Sequence, residues 1–429
     1  MIAALLVFLF LLVLVFVGIE IPLTLGMATF FAVSLVKTPM DVGSIAQGAA
    51  SVLPDSVTLI AIPLFVLTGA LIANSMIASR LILVANALVG RMRGGLAVVN
   101  VLDSFIFGGI SGSAAADTAS IGAVMIPMMI KYGYPKDFSV VVTITTSCLG
   151  PIVPPSLIMI VFGWLTNTSI AALFLAGYLP GLVVALALIA LCLYYSYKYN
   201  YPVSDSIGLR AAGRIVLQNL PIVLLPVCII AGIVGGIFTP TEAGAFGAVC
   251  SFAIVVAYGG IRSVDLRKVL SEVASLTGIC CFLLAFAGVF SRFLTYTRAP
   301  EHIIDALLPY VETPAVFLGM VVVVYLLLGC IMNPVAALIM TLPIFFPVSQ
   351  EFQINPLHLG MVTTVALAIG HVTPPVGISL FIGTSIAKME IEEVVPMLIP
   401  FVAVMILACI ILILFPGISL WIPSLFGFV

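Results

Sequence analysis

The sequence predicts an all-α polytopic membrane protein made of two related halves, and three observations carry that prediction. Of 429 residues, 63% are hydrophobic and 7% are Asp, Glu, Lys or Arg, where soluble domains carry about a quarter charged residues. Stretches such as Ile2 to Ile19 and Leu179 to Leu193 are apolar on every face, which fits helices in lipid and not the alternating strands of a membrane barrel. The chain also aligns with itself at a shift of about 220 residues, the mark of an internal repeat.

Apolar blocks lie near 1–36, 56–76, 81–102, 118–130, 138–165, 170–197, 215–236, 243–260, 273–290, 315–349, 357–386 and 394–415. The first begins without a basic n-region or a small-residue cleavage site and is expected to be a retained helix. Ser196 to Arg214 is the most polar stretch, with Lys198, Asp205, Arg210 and Arg214 around Pro202 and Gly208. It divides the chain into an N-terminal half (1–197), a basic linker (198–214) and a C-terminal half (215–429). Arg262, Arg267 and Lys268 follow two apolar segments later, hence on the same face, and the excess of basic residues makes that face cytoplasmic. Arg91 and Arg93, with Gly94 and Gly95, form a third basic loop whose side the sequence leaves open.

Composition excludes several classes. With 15 basic and 17 acidic residues and no basic stripe, the chain has no electrostatic basis for binding nucleic acid. The eight cysteines sit in apolar stretches without metal-ligand spacing, and His302, His358 and His371 are isolated. No GxxxxGK[ST] sequence is present, so the chain by itself is not an ATP-driven pump.

The repeat is clearest at the prolines. Gly150-Pro151-Ile152-Val153-Pro154-Pro155-Ser156 falls on Gly370-His371-Val372-Thr373-Pro374-Pro375-Val376. Pro180 falls on Pro400, Pro127 on Pro347, Pro135 on Pro356 after a one-residue slip, and Gly108 on Gly329. Proline removes a helical hydrogen bond and clashes with the preceding turn, so each pair is expected to break a spanning helix. Unpaired backbone at membrane depth persists only where protein or a polar cavity satisfies it. A kink without a ligand explains one such break; two at repeat-related positions point to binding. Freed carbonyls suit a hard cation such as Na⁺, and half-helix N-termini suit an anionic group.

A second constellation runs from Phe107 through Gly108, Gly109, Ser111, Gly112 and Ser113 to Asp117 and Thr118. Three glycines within five residues argue against a continuous helix. Small residues also serve helix packing, but Asp117 inside a span is expensive unless it faces a cavity or a partner. The corresponding stretch, Leu328-Gly329-Cys330-Ile331-Met332-Asn333-Pro334, keeps a glycine and places Asn333 beside a helix breaker. Asp103, Arg292 and Arg298 lie in or beside apolar blocks, while Glu20 and Glu242, next to Pro22 and Pro240, suggest helix ends.

These motifs, together with Phe238-Thr239-Pro240-Thr241-Glu242-Ala243-Gly244 and Thr373-Pro374-Pro375-Val376-Gly377, resemble the large membrane subunit of tripartite ATP-independent periplasmic (TRAP) transporters, the DctM type. The resemblance runs from about Ile62 to the last span and departs from the family at His371, where a small or apolar residue is expected. It implies an elevator-type fold of two inverted repeats, with a scaffold and a transport domain bearing re-entrant hairpins. It also implies Na⁺-coupled uptake of a carboxylate across the bacterial inner membrane. The implied partners are a four-helix small membrane subunit and a periplasmic binding protein, with no ATPase; Na⁺ is the coupling ion and no organic cofactor is expected. Carried over by position, one Na⁺ site uses Ser111, Ser113, Gly150, Val153 and Pro155, and its repeat mate uses Gly329, Asn333, Gly370, Thr373 and Pro375, with the substrate between them. Asp117, Thr118, Ser156, Arg292 and Arg298 are the candidate substrate contacts.

Two other readings stand beside this one. Proton coupling would use Asp117 or Glu242. An intramembrane enzyme would have to make do with Ser111 and Asp117, near which the sequence has no histidine; the chain is therefore expected not to be an enzyme.

Overall fold

A computed structural model describes residues 10, 13–14, 17–35, 41–51, 57–89, 92–203, 209–260, 264–298, 302, 311 and 313–429. Residues 1–9 of the first apolar run, together with Arg91, Asp205, Gly208 and Arg262, lie outside the described residues. The described chain is helical, and its one β-bridge joins Arg93 to Val203. Among the described residues seven helices are long and apolar enough to cross a membrane, or up to nine if two bent pairs each count as one span. Those pairs are Thr58–Ala73 with Ile77–Val89, bent by 72°, and Arg210–Gln218 with Leu220–Val234, bent by 55°.

Many prolines start helices rather than break them. Thr239-Pro240, Thr313-Pro314, Asn333-Pro334 and Asn355-Pro356 each put a capping side chain before a proline at the first helical position. There the missing N–H costs nothing and the fixed φ suits the helix. Asn333 Oδ1 accepts from the Val335 N–H at 2.9 Å, and Asn355 Oδ1 accepts from the Leu357 N–H at 2.9 Å. At Glu242 the expected helix end is a full capping box: its N–H donates to Thr239 Oγ1 at 3.3 Å, and its Oε2 accepts from the Thr239 N–H at 2.8 Å.

Each half contains a hairpin followed by a broken helix. The first hairpin runs up Gly95–Ser111 and returns through Ala114–Ser120 and Gly122–Lys131. Contrary to the expectation from its glycines, Gly95–Ser111 is continuous through Gly108 and Gly109, and the chain turns only at Gly112, which has φ +62°. Gly108 is there for proximity: a Cβ on it would lie 2.9 Å from the Gly150 Cα. The second hairpin pairs Pro314–Ile331 with Pro334–Glu351, and a Cβ on Gly329 would likewise lie 2.9 Å from the Gly370 Cα.

The first broken helix comprises Lys136–Thr146, Leu149–Ile152 and Leu157–Thr166; the second comprises Pro356–Gly370 and Ile378–Ala387. The interruptions before Leu157 and before Ile378 fall at the Pro-Pro pairs, and both Pro-Pro bonds are cis. The leading part of each packs against the trailing part of the other: Gly383 sits against Val140 and Ile144, and Gly360 against Phe162. The two broken helices therefore run antiparallel and cross near their breaks, as inverted repeats require.

The third basic loop now has a side. Arg93 Nη1 donates to Asn200 Oδ1 at 2.7 Å, and the Gly94 N–H to the Pro202 carbonyl at 3.4 Å, so this loop shares the face of the basic linker. The linker itself turns helical at Leu209–Gln218. Tyr258 Oη donates to the Gln218 carbonyl and Arg80 lies 4.5 Å over the Tyr258 ring, which brings the chain before Arg267 back to that face.

Candidate functional site

The hairpin turns and the breaks of both halves close on one cavity of about 510 Å³. Ser111, Gly112 and Ser113 enter it from the first hairpin, Pro151, Leu157 and Ile158 from the first break, Asn333 to Val335 from the second hairpin, and His371 and Ile378 from the second break. The helices Ala61–Ala73 and Leu266–Tyr296 form the remaining wall, through Gly69 and Glu272 among others.

Within the first half the predicted ion-site residues converge. A Cβ on Gly150 would meet the Ser113 carbonyl at 3.0 Å, and one on Gly112 would meet the Pro155 carbonyl at 2.6 Å, so only glycine lets hairpin and break approach so closely. Val153 is extended at φ −85°, ψ 127°, and Ser156 follows at φ −130°, ψ 133°. Carbonyls from this non-helical stretch are freed from the helical ladder. Ser156 Oγ is buried without a hydrogen-bond partner among the described residues.

The second half repeats the arrangement with different side chains. Gly329 and Gly370 meet backbone to backbone, and the Gly377 N–H donates to the Cys330 carbonyl at 3.1 Å. Gly377, at φ +33°, draws close to the carbonyl oxygens of Thr373 and His371; an added Cβ would lie 3.0 and 3.2 Å from them. The Thr373 hydroxyl donates to the Ile369 carbonyl at 2.7 Å, leaving its lone pairs to accept. Asn333 stays at the cavity edge, its Oδ1 already engaged as a cap. His371, the departure from the family pattern, lines the cavity with its Nδ1 3.1 Å from Ser379 Oγ.

The candidate substrate contacts fare differently. Asp117 and Thr118 are buried outside the cavity lining. Asp117 Oδ1 accepts from Ser104 Oγ at 3.3 Å, and Thr118 Oγ1 donates to the Ala114 carbonyl at 2.9 Å. Ser104 also lies 3.2 Å from Thr146 Oγ1, and Asn100 Nδ2 donates to Thr143 Oγ1 at 2.7 Å, so Asp117 belongs to a polar seam between hairpin and broken helix. Asp103 is fully buried, and among the described residues neither of its carboxyl oxygens nor Asp117 Oδ2 has a hydrogen-bond partner. Arg292 and Arg298 are exposed and do not line the cavity; Arg292 packs near Gly48, and Arg298 sits at φ +50° in the turn after Tyr296. Their long side chains end up at the surface because the face of Leu266–Tyr296 that meets the cavity carries Glu272, Ser275 and Ile279 instead.

Sequence reasoning did not reach Glu272. It lines the cavity, and its Oε2 accepts from Asn74 Nδ2 at 3.0 Å across 198 residues of chain. A lone carboxylate at the edge of an apolar helix was the available signal.

Antiparallel broken helices and paired hairpins around one shared cavity define a multi-pass membrane transporter of inverted-repeat architecture. The family profile described as "Tripartite ATP-independent periplasmic transporter, DctM component" matches residues 6–418. The chain is 37% identical over 374 residues to the C4-dicarboxylate TRAP transporter large permease protein DctM of Pseudomonas aeruginosa, covering 86% of this chain and 87% of that one. It is 33% identical over 377 residues to the sialic acid TRAP transporter large permease protein SiaM of Vibrio cholerae, covering 87% of each. In fold it is similar to the Alcanivorax borkumensis YdaH transporter, with a TM-score of 0.64 at 14% identity over 88% of this chain and 90% of that one. The chain belongs to the DctM family: it is the large permease component of a TRAP transporter, and not an enzyme.

Proposed function

We propose that this permease imports a small organic acid together with Na⁺, by alternating access of the central cavity across the bacterial inner membrane. The observation that carries the reading is the convergence of both repeats on one space, with hydroxyls and freed carbonyls beside the starts of Leu157–Thr166, Pro334–Glu351 and Ile378–Ala387. Oxygen donors of this kind suit Na⁺, a hard cation. Helix starts direct N–H groups and positive dipole ends at an anion. Ser111, Ser113, Gly150, Val153 and Pro155 form one ion site, and Gly329, Asn333, Gly370, Thr373 and Pro375 the other. The carboxylate substrate, of the kind named for the dicarboxylate and sialic acid relatives, lies between them. A small membrane subunit and a periplasmic binding protein complete the system, the second delivering the ligand.

The test is uptake of labelled organic acids into proteoliposomes holding the permease with its small subunit and binding protein. Uptake is expected to stop when choline replaces Na⁺; undiminished uptake in choline overturns the coupling. Proton coupling is the second reading, favoured by Asp103, whose carboxyl oxygens are buried without partners. A pH gradient imposed at fixed Na⁺ separates the two.

A further inference from the structure

We propose that His371 and Glu272 make the cavity selective for a polyhydroxylated monocarboxylate over a dicarboxylate. The inference rests on the carboxylate reading above and names the substrate class within it. Among the described residues no Lys or Arg lines the cavity; its acidic and imidazole side chains are Glu272 and His371, on separate elements.

His371 supplies the anion end. It is 4% exposed, and its Nδ1 is engaged with Ser379 Oγ at 3.1 Å, while Nε2 has no hydrogen-bond partner among the described residues. With the Ser379 hydroxyl donating to Nδ1, Nε2 keeps its hydrogen and donates into the cavity. The ten-residue helix Ile378–Ala387 starts beside it without a side-chain cap; its Ser379 N–H is taken by the His371 carbonyl at 3.3 Å, while the Ile378 and Leu380 N–H groups have no partner among the described residues. Imidazole N–H, helix start and cavity wall together accommodate one carboxylate.

Glu272 supplies the other end. It stands on Leu266–Tyr296, half-buried, with Oε2 held by Asn74 at 3.0 Å and Oε1 without a partner among the described residues. Ser275 lines the cavity one turn further along. A carboxylate accepts hydrogen bonds from hydroxyls and repels a second carboxylate. A dicarboxylate anchored at His371 would turn its far charge toward Glu272 with no cationic side chain to offset it, whereas a polyol tail would donate to Oε1. Selection by an unfavourable contact is a usual route to specificity.

The experiment measures ligand binding to the full chain purified in detergent with NaCl, by thermal shift and calorimetry. The probes are D-gluconate and N-acetylneuraminate as polyhydroxy monocarboxylates, and succinate and 2-oxoglutarate as dicarboxylates. At least one monocarboxylate is expected to bind about tenfold or more tightly than either dicarboxylate, the size of one charge-assisted contact. Glu272→Gln should collapse that ratio to roughly threefold or less by tightening dicarboxylate binding. His371→Ala should weaken both classes alike, and His371→Gln, which keeps an N–H donor, should recover part of the loss. A wild-type preference for a dicarboxylate, or a ratio unchanged in Glu272→Gln, overturns the inference and leaves the carboxylate reading standing. No response to any of the four acids in NaCl, from protein that elutes as a single folded species, removes both.

Discussion

Cys148 donates its thiol hydrogen to the carbonyl oxygen of Ala368 at 3.1 Å, and the two residues stand 220 positions apart. That separation is the offset that carries Gly150 onto Gly370 and Pro155 onto Pro375. A residue touching its own counterpart lies on the axis relating the two halves, so the pseudo-twofold passes through the crossing of the broken helices. The reciprocal pairs Gly383 with Val140 and Gly360 with Phe162 flank that crossing. The proposed ion-site residues are thus built outward from the symmetry axis.

Gly329→Ala is expected to destabilise the protein by about 2 kcal/mol or more, because the new methyl meets backbone that has no rotamer to yield. Its Cβ would fall 2.9 Å from the Gly370 Cα. Gly108→Ala, equally close to Gly150, should behave alike, whereas Gly319→Ala, with nothing within 4 Å, should be neutral or stabilising through helix propensity. Thermal unfolding in detergent compares the three; equal midpoints would contradict the close approach.

Ser111→Ala should raise the Na⁺ concentration for half-maximal uptake by roughly tenfold, the loss expected of one coordinating oxygen. Ser51→Ala serves as the control, since the Ser51 hydroxyl donates to the Gly48 carbonyl at 3.0 Å, away from the cavity lining. A Na⁺ titration of uptake in which both variants move together would remove Ser111 from the site.

Asp103→Asn is expected to raise thermal stability. The wild-type side chain is 0% exposed, with both oxygens unpartnered. Relieving a buried, unpaired carboxyl gains on the order of 1–3 kcal/mol. Lower stability in the variant would mean that the carboxyl has a partner the described residues do not supply.

Glu242→Gln should leave uptake and its pH profile intact. The side chain caps Pro240–Gly259 through Thr239, and an amide can still accept the Thr239 N–H. A flattened pH profile of uptake in this variant would return Glu242 to the proton-coupling role that its helix-end position argues against.

The breaks were legible in the sequence because Gly and Pro act on their own backbone. Pro154-Pro155 and Pro374-Pro375 interrupt their helices wherever those helices pack. Asn333 was legible as a polar residue but not in its role: Pro334 beside it begins a helix, and only the hydrogen bond from the Val335 N–H shows that Asn333 is its cap. Helix continuity through Gly108 and Gly109 was not legible, since it depends on the facing glycine at 150. Glu272 and Asn74 escaped for the same reason, as nothing local to either residue forecasts a partner 198 positions away. Arg292 and Arg298 carried the charge for an anion but read first as snorkelling end residues, and both stand exposed outside the cavity lining.

A joint between two glycines behaves as a rivet and not as a spring. Side chains between packed helices can change rotamer and absorb a displacement, but Gly108 against Gly150 and Gly329 against Gly370 have none to change. Each hairpin is therefore locked to its broken helix, and the two broken helices are pinned to each other at Cys148 and Ala368. Moved along the membrane normal, Ser111 would take Gly150, Gly370 and His371 with it as one carriage. Gly69 on Ala61–Ala73 meets Ser111 just as closely, an added Cβ lying 2.9 Å from the Ser111 Cα, whereas Leu266–Tyr296 faces the same cavity through side chains, Glu272, Ser275 and Ile279, that can turn aside.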